Sequence, residues 1–414
     1  MVNTAKYKLY YGYIVVIAAL GISMVTWGTL NTYGIFYKPL LTEFGWTRAV
    51  TAGARALASG ISGLLGIITG GLTDRFGPKR VLLLSGTLLG LGYLLLSRVS
   101  DTWQFYVIYG TFVSFGMSAA TIPLQSTVAR WFVKRRGFMT GFAQAGDGLG
   151  GMVLAPMIGW IILNRDWRSA YSFLGVLVLV LVFPLGLLLK RDPVQIGLLP
   201  YGAECSTKID ANIREINPHD VDLPLRKAIR TTQFRMLSIM LFAFGFCRTS
   251  MLVHIVAHVT DLGFSLAIGA NVLAIIMGVS MITRIGMGRL ADLRGNKHVF
   301  IIGFIVMGSG MFWMLLAEQL WMLYIFAIAF GFSWGTLAVV RVPMIADIFG
   351  LTSLGMISGT LDFSAQVGAF IGPLLGGQLF DLTGQYTGYF LVAASLATLG
   401  IILTTLLSPI YMRK

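Results

Sequence analysis

Arg284 is the first residue whose position in this sequence points to chemistry. It stands in the segment SMITRIGMGRLAD (Ser280–Asp292), which otherwise has the composition of a membrane helix. Asp292, in a Gly-rich turn, marks the expected membrane edge, so Arg284 lies roughly 12 Å inside that edge. A charge at that depth is costly and persists only beside a counter-ion, a water-filled cavity or a ligand. We therefore expect Arg284 to hold an anionic substrate.

Two carboxylates are predicted at a comparable depth in other apolar segments. Asp362 and Asp147 lie about nine and ten residues inside their segments, hence roughly 14 and 15 Å deep at 1.5 Å per residue. Each is a candidate for proton coupling or for a counter-ion. A fixed ion pair with only a folding role is the alternative.

Two histidines form a weaker candidate site. His254 and His258 are four residues apart, so they share a helix face, and histidine titrates near neutral pH. Their position near one end of an apolar segment is equally compatible with histidines at the membrane interface.

Composition sets the class of protein that must position these groups. The chain has 414 residues, of which 56% are hydrophobic and 12% charged, and its mean hydropathy is +0.79. Soluble domains carry about 25% charged residues, so this composition indicates a multi-pass protein of the lipid bilayer. The net charge of +14 is then explained by basic loops rather than by nucleic-acid binding. The two cysteines give no disulfide framework.

Apolar stretches separated by polar or Gly/Pro-rich punctuation predict the helices. The pattern favours an all-α integral membrane fold with twelve transmembrane helices. The longest polar interruption divides the chain into an N-terminal six-helix half (1–190), a linker (191–232) and a C-terminal six-helix half (233–414). The twelve predicted spans are 11–37, 49–73, 79–98, 103–129, 137–163, 169–189, 233–258, 264–290, 298–317, 320–346, 354–379 and 386–408.

The basic residues predict orientation. On these spans, 22 of the 31 Lys and Arg residues lie on the side that carries both termini, five on the other side and four inside helices. The positive-inside rule therefore places both termini and the linker in the cytoplasm.

An internal repeat supports the two halves. The segment Gly70–Lys79 (GGLTDRFGPK) aligns with Gly288–Lys297 (GRLADLRGNK) at an offset of 218 residues, with Gly, Leu, Asp, Gly and Lys in register. The same offset pairs Gly137 with Gly355, Gly141 with Gly359 and Gly150 with Gly368. These glycines would permit close helix approach. Duplicated halves of this kind bind substrate near the mid-membrane plane, between the halves.

These motifs resemble a known family. GGLTDRFGPKR resembles the loop 2–3 signature of the major facilitator superfamily, and GRLADLRGNK its weaker second copy. YYGYIVVIAAL, YGIFYKPLLTEFGWTRA, RWFVKRRGFMTGFAQAGDGLGG, HIVAHVTDLG and GGQLFDLTGQY look like prokaryotic monocarboxylate transporters, with oxalate/formate exchangers as close kin. The resemblance implies the inner (plasma) membrane of a prokaryote.

The resemblance also implies roles for particular residues. Arg284 would bind the substrate carboxylate, and Asp362 or Asp147 would neutralise it when the site is empty. His254 would be a cavity residue open to the outside. The remaining substrate-binding candidates are Asn31, Tyr33, Phe330 and Trp334. A conformational latch would comprise Asp74, Arg75, Lys79, Arg80, Asp292, Arg135 and Arg136.

The sequence departs from animal monocarboxylate transporters at two positions linked to proton coupling. Asn31 stands where those relatives carry a lysine, and Ser280 where they carry an aspartate. In addition, Leu361 stands where the oxalate exchangers carry a second basic residue, which disfavours a dicarboxylate. Carboxylate recognition by Arg284 is unaffected.

The predicted function is secondary active transport of a small monocarboxylate, such as lactate or pyruvate, by alternating access with a proton as co-substrate. The protein would act as a monomer, with a small organic carboxylate anion as its partner. The alternatives are an organic-anion exchanger of oxalate/formate type and a non-transporting carboxylate receptor. No GxxxxGK[ST] motif, metal-ligand cluster or nucleophile constellation occurs in the sequence, so we expect neither a cofactor nor an enzyme.

Overall fold

The computed structural model describes residues 10–119, 122–132, 135–202, 223–350 and 353–407. These residues make twelve helical crossings, here numbered α1 to α12. They are Tyr11–Phe44 (α1), Arg48–Phe76 (α2), Pro78–Leu96 (α3), 102–119 with 122–131 (α4), Arg136–Asn164 (α5), Trp167–Leu188 (α6), Thr232–Asp261 (α7), Leu266–Arg294 (α8), Asn296–Trp313 (α9), Leu320–Phe349 (α10), Leu354–Thr383 (α11) and Thr387–Leu406 (α12).

Eight of the twelve, within the residues described, are long and apolar enough to cross a membrane by length and composition alone. Crossings α2, α4, α9 and α11 fall outside that group. Large apolar side chains such as Trp103, Trp160 and Phe183 are exposed on the bundle, as expected for a surface that faces lipid. The first helix runs to Phe44, seven residues beyond the predicted end at 37, with a turn at Thr32.

Two names are used below for the faces of the bundle. The terminal side is the side on which Tyr10 and Leu407 lie. The distal side carries the connections that follow Phe44, Leu96 and Asp261. That the terminal side faces the cytoplasm stays a prediction.

The 218-residue repeat reappears as equivalent helix contacts. A Cβ on Gly150 of α5 would lie 2.0 Å from the Met24 carbonyl oxygen and 2.8 Å from Gly28 of α1. A Cβ on Gly368 of α11 would lie 2.1 Å from the Phe242 carbonyl oxygen of α7. It would also lie 2.8 Å from the nitrogen of Phe246, the counterpart of Gly28. The α1–α5 and α7–α11 pairs are therefore built alike, as duplicated halves would be.

The other repeat glycines behave differently. A Cβ at Gly141, Gly355 or Gly359 would meet no atom within 4 Å, so the predicted close approach is wrong there in this conformation. The physical reason is that helix faces separate toward the terminal side. The contact surroundings of Gly137 lie outside the described part of the structure.

The separation follows both seams between the predicted halves. Along α2 and α11, Gly60 faces Phe370 and Gly63 faces Gln366, but Gly66 has open space. Along α5 and α8, Gly151 faces Met277 and Gly148 faces Met281, while Gly141 and Gly286 have open space. Helix contacts thus close the distal part of both seams, and the space between them opens to the terminal side. We call this space the terminal opening.

Candidate functional site

An ion pair between α5 and α8 lies where their contacts end. A guanidinium nitrogen of Arg284 lies 2.8 Å from one carboxylate oxygen of Asp147, and another donates to the Gln144 carbonyl oxygen at 3.2 Å. The Asn31 amide donates to the second Asp147 oxygen at 2.7 Å. Both charged side chains are 14% exposed. Three helices, α1, α5 and α8, therefore meet at one carboxylate.

Glycines allow these helices to come close enough. A Cβ on Gly148 would lie 2.8 Å from the Met281 side chain, one turn from Arg284. Gly150 permits the α1 contact that brings Asn31 to Asp147. The site thus depends on the small residues that flank Asp147 in the sequence GDGLGG.

Trp334 of α10 extends this site. Its ring is 1% exposed, and the guanidinium carbons of Arg284 and Arg248 lie 5.9 and 5.5 Å from the ring centroid. Gly335 makes this possible, because its Cβ position lies 2.4 Å from the Ser280 carbonyl oxygen of α8. Phe330 is fully buried and stacks on Phe326 at 5.4 Å, so it supports the helix face that carries Trp334.

Asp362 is not the partner of Arg284. Its carboxylate lies 2.7 Å from a guanidinium nitrogen of Arg341 on α10, with side-chain exposures of 42% for Asp362 and 28% for Arg341. Depth along the helix makes Asp362 and Asp147 equal candidates for the partner of Arg284. The two acids lie on helix faces that point to different arginines, so Asp147 pairs with Arg284 and Asp362 with Arg341. Asp347, at the end of α10, instead accepts a hydrogen bond from Asn296 at 2.7 Å.

Arg55 is a further arginine that lies inside the bundle. It is 3% exposed, two turns inside α2, and donates to Ser59 at 2.6 Å. Tyr33, Tyr93 and Tyr109 interact with it electrostatically. Tyr33 itself donates its hydroxyl hydrogen to the Thr51 carbonyl and is 3% exposed, so it lies beyond the terminal opening in this conformation.

His254 is enclosed rather than open. It is 2% exposed, with one ring nitrogen 3.1 Å from the Tyr386 hydroxyl and the other 2.9 Å from the Pro373 carbonyl oxygen. The predicted opening of His254 to the outside therefore differs from this conformation, because the distal side is closed above it. A substrate-binding role for His254 stays a prediction.

The distal closure is built from charged and aromatic residues near the distal ends of the helices. A guanidinium nitrogen of Arg48 lies 2.6 Å from the Asp261 carboxylate, another donates to the Tyr386 hydroxyl at 2.5 Å, and the guanidinium stacks 3.4 Å from the Phe380 ring centroid. Lys38 pairs with the same Asp261 at 3.2 Å. We call Lys38, Arg48, Asp261, Asp381 and Tyr386 the distal seal.

The predicted latch lies on the terminal side. Its basic members Arg75, Lys79, Arg80 and Arg135 are exposed. Arg135 has a left-handed backbone conformation, with φ of 63°. The side chains of Asp74, Arg136 and Asp292 lie outside the described part of the structure, so the latch stays a prediction.

Comparison with known proteins supports a transport fold. A family model described as Major Facilitator Superfamily matches residues 15–292 and 279–411. Monocarboxylate transporter 13 of Rattus norvegicus is 26% identical over 399 residues, which cover 95% of this chain and 89% of that protein. Monocarboxylate transporter 11 of Homo sapiens is 27% identical over 410 residues, covering 94% of this chain and 81% of that protein.

Solved structures agree on the fold. A bacterial homologue of the human lysosomal transporter Spinster, in an inward-facing and occupied conformation, superposes with a TM-score of 0.74 over 97% of this chain and 96% of that chain, at 13% identity. Its inward-facing, unoccupied form gives 0.72. The predicted twelve-helix membrane fold is confirmed, whereas kinship with prokaryotic members and oxalate/formate exchangers stays a prediction. The chain belongs to the Major Facilitator Superfamily and is a secondary transporter rather than an enzyme.

Proposed function

We propose that the protein moves a small monocarboxylate, such as lactate or pyruvate, across the membrane by alternating access. The observation that carries this proposal is the Arg284–Asp147 pair at the closed end of the terminal opening. A guanidinium can hold a carboxylate through two parallel hydrogen bonds, and in this conformation the Asp147 carboxylate accepts one hydrogen bond from Arg284. The substrate carboxylate would take the place of Asp147. The names of the similar proteins support a monocarboxylate as substrate.

Asp147 would couple this exchange of partners to a proton. Once protonated, Asp147 no longer attracts Arg284 as a charge, and Arg284 becomes available to the substrate anion. Asn31 would retain Asp147 through its amide in either protonation state, because a carboxyl group accepts hydrogen bonds in both. Transport of anion and proton together would then be electrically neutral. Asp362 remains the second candidate, since it faces the terminal opening with Arg341.

Anion exchange is the second candidate function, and Arg248 favours it. This arginine has no carboxylate partner among the described residues, so the empty site carries excess positive charge. Moving an unoccupied, charged site through the membrane is costly. A carrier with an empty, positively charged site would change conformation more readily after a second anion has bound. Transport of one anion would then require counter-transport of another, which is anion exchange.

Alternating access would use the two ends described above. The distal seal closes one end while the terminal opening gives access to Arg284. We propose that the two six-helix halves, 1–190 and 233–414, rock about the site. If the terminal side is cytoplasmic, as the positive-inside rule predicts, this conformation is inward-facing.

The test is uptake of radiolabelled L-lactate or pyruvate into proteoliposomes that contain the purified protein. An inwardly directed proton gradient should accelerate uptake if the proton is a co-substrate. Dependence on unlabelled carboxylate inside the vesicles, without an effect of the gradient, would show exchange instead. Binding of the anion without any flux would contradict transport of these compounds and favour a receptor.

A further inference from the structure

Arg248 lies in the middle of α7 without a carboxylate to pair with. Its chain neighbours Cys247 and Thr249 are buried, yet Arg248 is partly exposed, so its exposed surface faces a space inside the bundle. Its Nε atom is buried and has no hydrogen-bond partner among the described residues. The Trp334 ring centroid lies 5.5 Å from the guanidinium carbon.

The other three intramembrane arginines each have a polar partner. Arg284 pairs with Asp147, Arg341 pairs with Asp362, and Arg55 donates to Ser59. Arg248 interacts electrostatically with Asp147 and with these three arginines, so it belongs to the same central region. Within the described part of the chain, Arg248 is thus the intramembrane arginine with neither an ion pair nor a side-chain hydrogen bond, which leaves its guanidinium available to an added anion.

The position of Arg248 relative to Trp334 links it to Arg284. The two guanidinium groups contact the same indole ring, one from α7 and one from α8. An anion at Arg248 would therefore be bound next to the Arg284–Asp147 pair and on a helix of the same predicted half. Burial of an unpaired guanidinium is unfavourable, and a bound carboxylate would relieve it.

We propose that Arg248 is a second anion-binding residue, which receives the substrate carboxylate while Asp147 still holds Arg284. This rests on the function proposed above. The substrate would enter through the terminal opening and bind Arg248 on the face of Trp334. Its negative charge would then lie near Asp147 and favour protonation of that carboxylate, after which Arg284 could contact the substrate as well. Binding would thus precede release of Arg284.

The inference can be tested by anion binding to the full-length protein in detergent. Thermal unfolding is followed at pH 7.5 while L-lactate, pyruvate, nitrate or sulfate is titrated, since a ligand that binds only the folded state raises the midpoint. Arg248→Gln, Arg248→Lys and the control Arg55→Gln are compared with the unaltered chain. Arg55 is the control because it is also an intramembrane arginine without an acid partner in the described residues, but it is 3% exposed and lies beyond the terminal opening.

Arg248→Gln should weaken lactate or pyruvate binding at least tenfold, Arg248→Lys should lose less, and Arg55→Gln should stay within about threefold. Equal binding by Arg248→Gln and the unaltered chain would overturn the inference. If Arg248→Gln does not fold, Arg248→Lys decides, because unchanged binding by that variant would remove the need for a guanidinium.

The panel separates this inference from the proposed function. In one outcome, nitrate or sulfate binds, carboxylates do not, and Arg248→Gln loses that binding. This outcome would support anion binding by Arg248 and contradict a monocarboxylate as the substrate. Binding of lactate or pyruvate that is unchanged in Arg248→Gln would do the reverse. Absence of any anion binding by the unaltered chain would contradict both.

Discussion

Asp381 accepts a hydrogen bond of 2.9 Å from the backbone N–H of Arg48, and so joins the last turn of α11 to the first turn of α2. Its second oxygen accepts from the N–H of Ala49 at 2.8 Å. A carboxylate at a helix N-terminus is stabilised by the unpaired N–H groups and by the helix dipole. This contact bridges the two predicted halves on the distal side only, so it favours the conformation with the terminal opening.

Replacing Asp381 by Asn should therefore shift the protein toward conformations in which the distal side is open. Loss of a charged acceptor at a helix N-terminus costs about 1 kcal/mol, which changes the population ratio roughly fivefold. Spin labels at Thr42 and Leu382, both exposed on the distal side, should show a larger fraction of long distances. Asp101→Asn is the control, because Asp101 is on the same side and its carboxylate accepts hydrogen bonds from its chain neighbours Ser100 and Gln104. An unchanged distance distribution in Asp381→Asn would contradict a role in closure.

Substitution of Arg284 by Lys should impair transport although the charge is kept. An ammonium cannot form the two parallel hydrogen bonds of a guanidinium, and such charge-assisted bonds contribute about 1.5–3 kcal/mol. We expect uptake of lactate or pyruvate in proteoliposomes to fall at least tenfold. Arg294→Lys on the same helix is the control, since Arg294 is exposed. Normal transport by Arg284→Lys would exclude bidentate carboxylate binding there.

The two acids should respond differently to pH. The proposed coupling, in which a protonated Asp147 releases Arg284, predicts that uptake by the unaltered chain rises as pH falls. Asp147→Asn mimics the protonated acid, and its uptake should lose this pH dependence. Asp362→Asn should keep it, because Asp362 pairs with Arg341. The measurement is initial uptake between about pH 5.5 and 8 without a gradient. If both variants follow the pH profile of the unaltered chain, carboxylate-linked proton coupling is wrong.

Equivalent glycines should be equally intolerant of a side chain. Gly150→Ala and Gly368→Ala each place a Cβ about 2 Å from a carbonyl oxygen of the packed helix, which forces the helices apart. Overpacking of this kind costs about 1–3 kcal/mol. Both variants should have lower thermal midpoints in detergent, whereas Gly359→Ala should not, because its Cβ meets open space. A stable Gly368→Ala beside an unstable Gly150→Ala would show that the halves pack differently.

The connection between α5 and α6 offers a test of stability alone. The Asp166 carboxylate accepts a hydrogen bond of 2.6 Å from the backbone N–H of Ser169, and this bond holds the pKa of Asp166 below its usual value. The stabilisation is therefore present at neutral pH and is lost as pH falls through that lowered pKa. Asp166→Ala should cost about 1 kcal/mol at pH 7, measured by thermal unfolding, while Asp101→Ala should cost less because Asp101 caps no N–H. Equal midpoints for Asp166→Ala and the unaltered chain would exclude the cap.

Depth could be predicted from the sequence, because a helix advances by a fixed rise per residue. The rise per residue predicts a similar depth for Arg284 and Asp147, and the two side chains form an ion pair. Which acid meets Arg284 could not be predicted, because it depends on helix rotation and on faces that belong to different segments. Helix rotation also explains Arg55. It is seven residues from the start of α2 at Arg48, and the face on which it lies is packed inside the bundle.

Arg248 stands in an apolar segment of the sequence, which marks it as a costly charge but does not identify its neighbour. That neighbour is Trp334, which is four residues from Phe330 and shares its face of α10. The contact of Trp334 with two arginines arises from the close α8–α10 approach at Gly335, which depends on tertiary packing. The distal seal was missed for a similar reason, because Arg48 and Asp381 are distant in the chain.

The 218-residue repeat carries one last consequence for the ligand. Its offset relates Arg284 to Gly66 and Asp147 to Ala365, so the seam between α2 and α11 has no counterpart of the ion pair. A Cβ at Gly66 would meet no atom within 4 Å, as is also true of Gly141 and Gly286 in the other seam, so the two seams differ in charge rather than in volume. Under the function proposed above, a ligand with a single anionic group would therefore bind with that group toward α5 and α8.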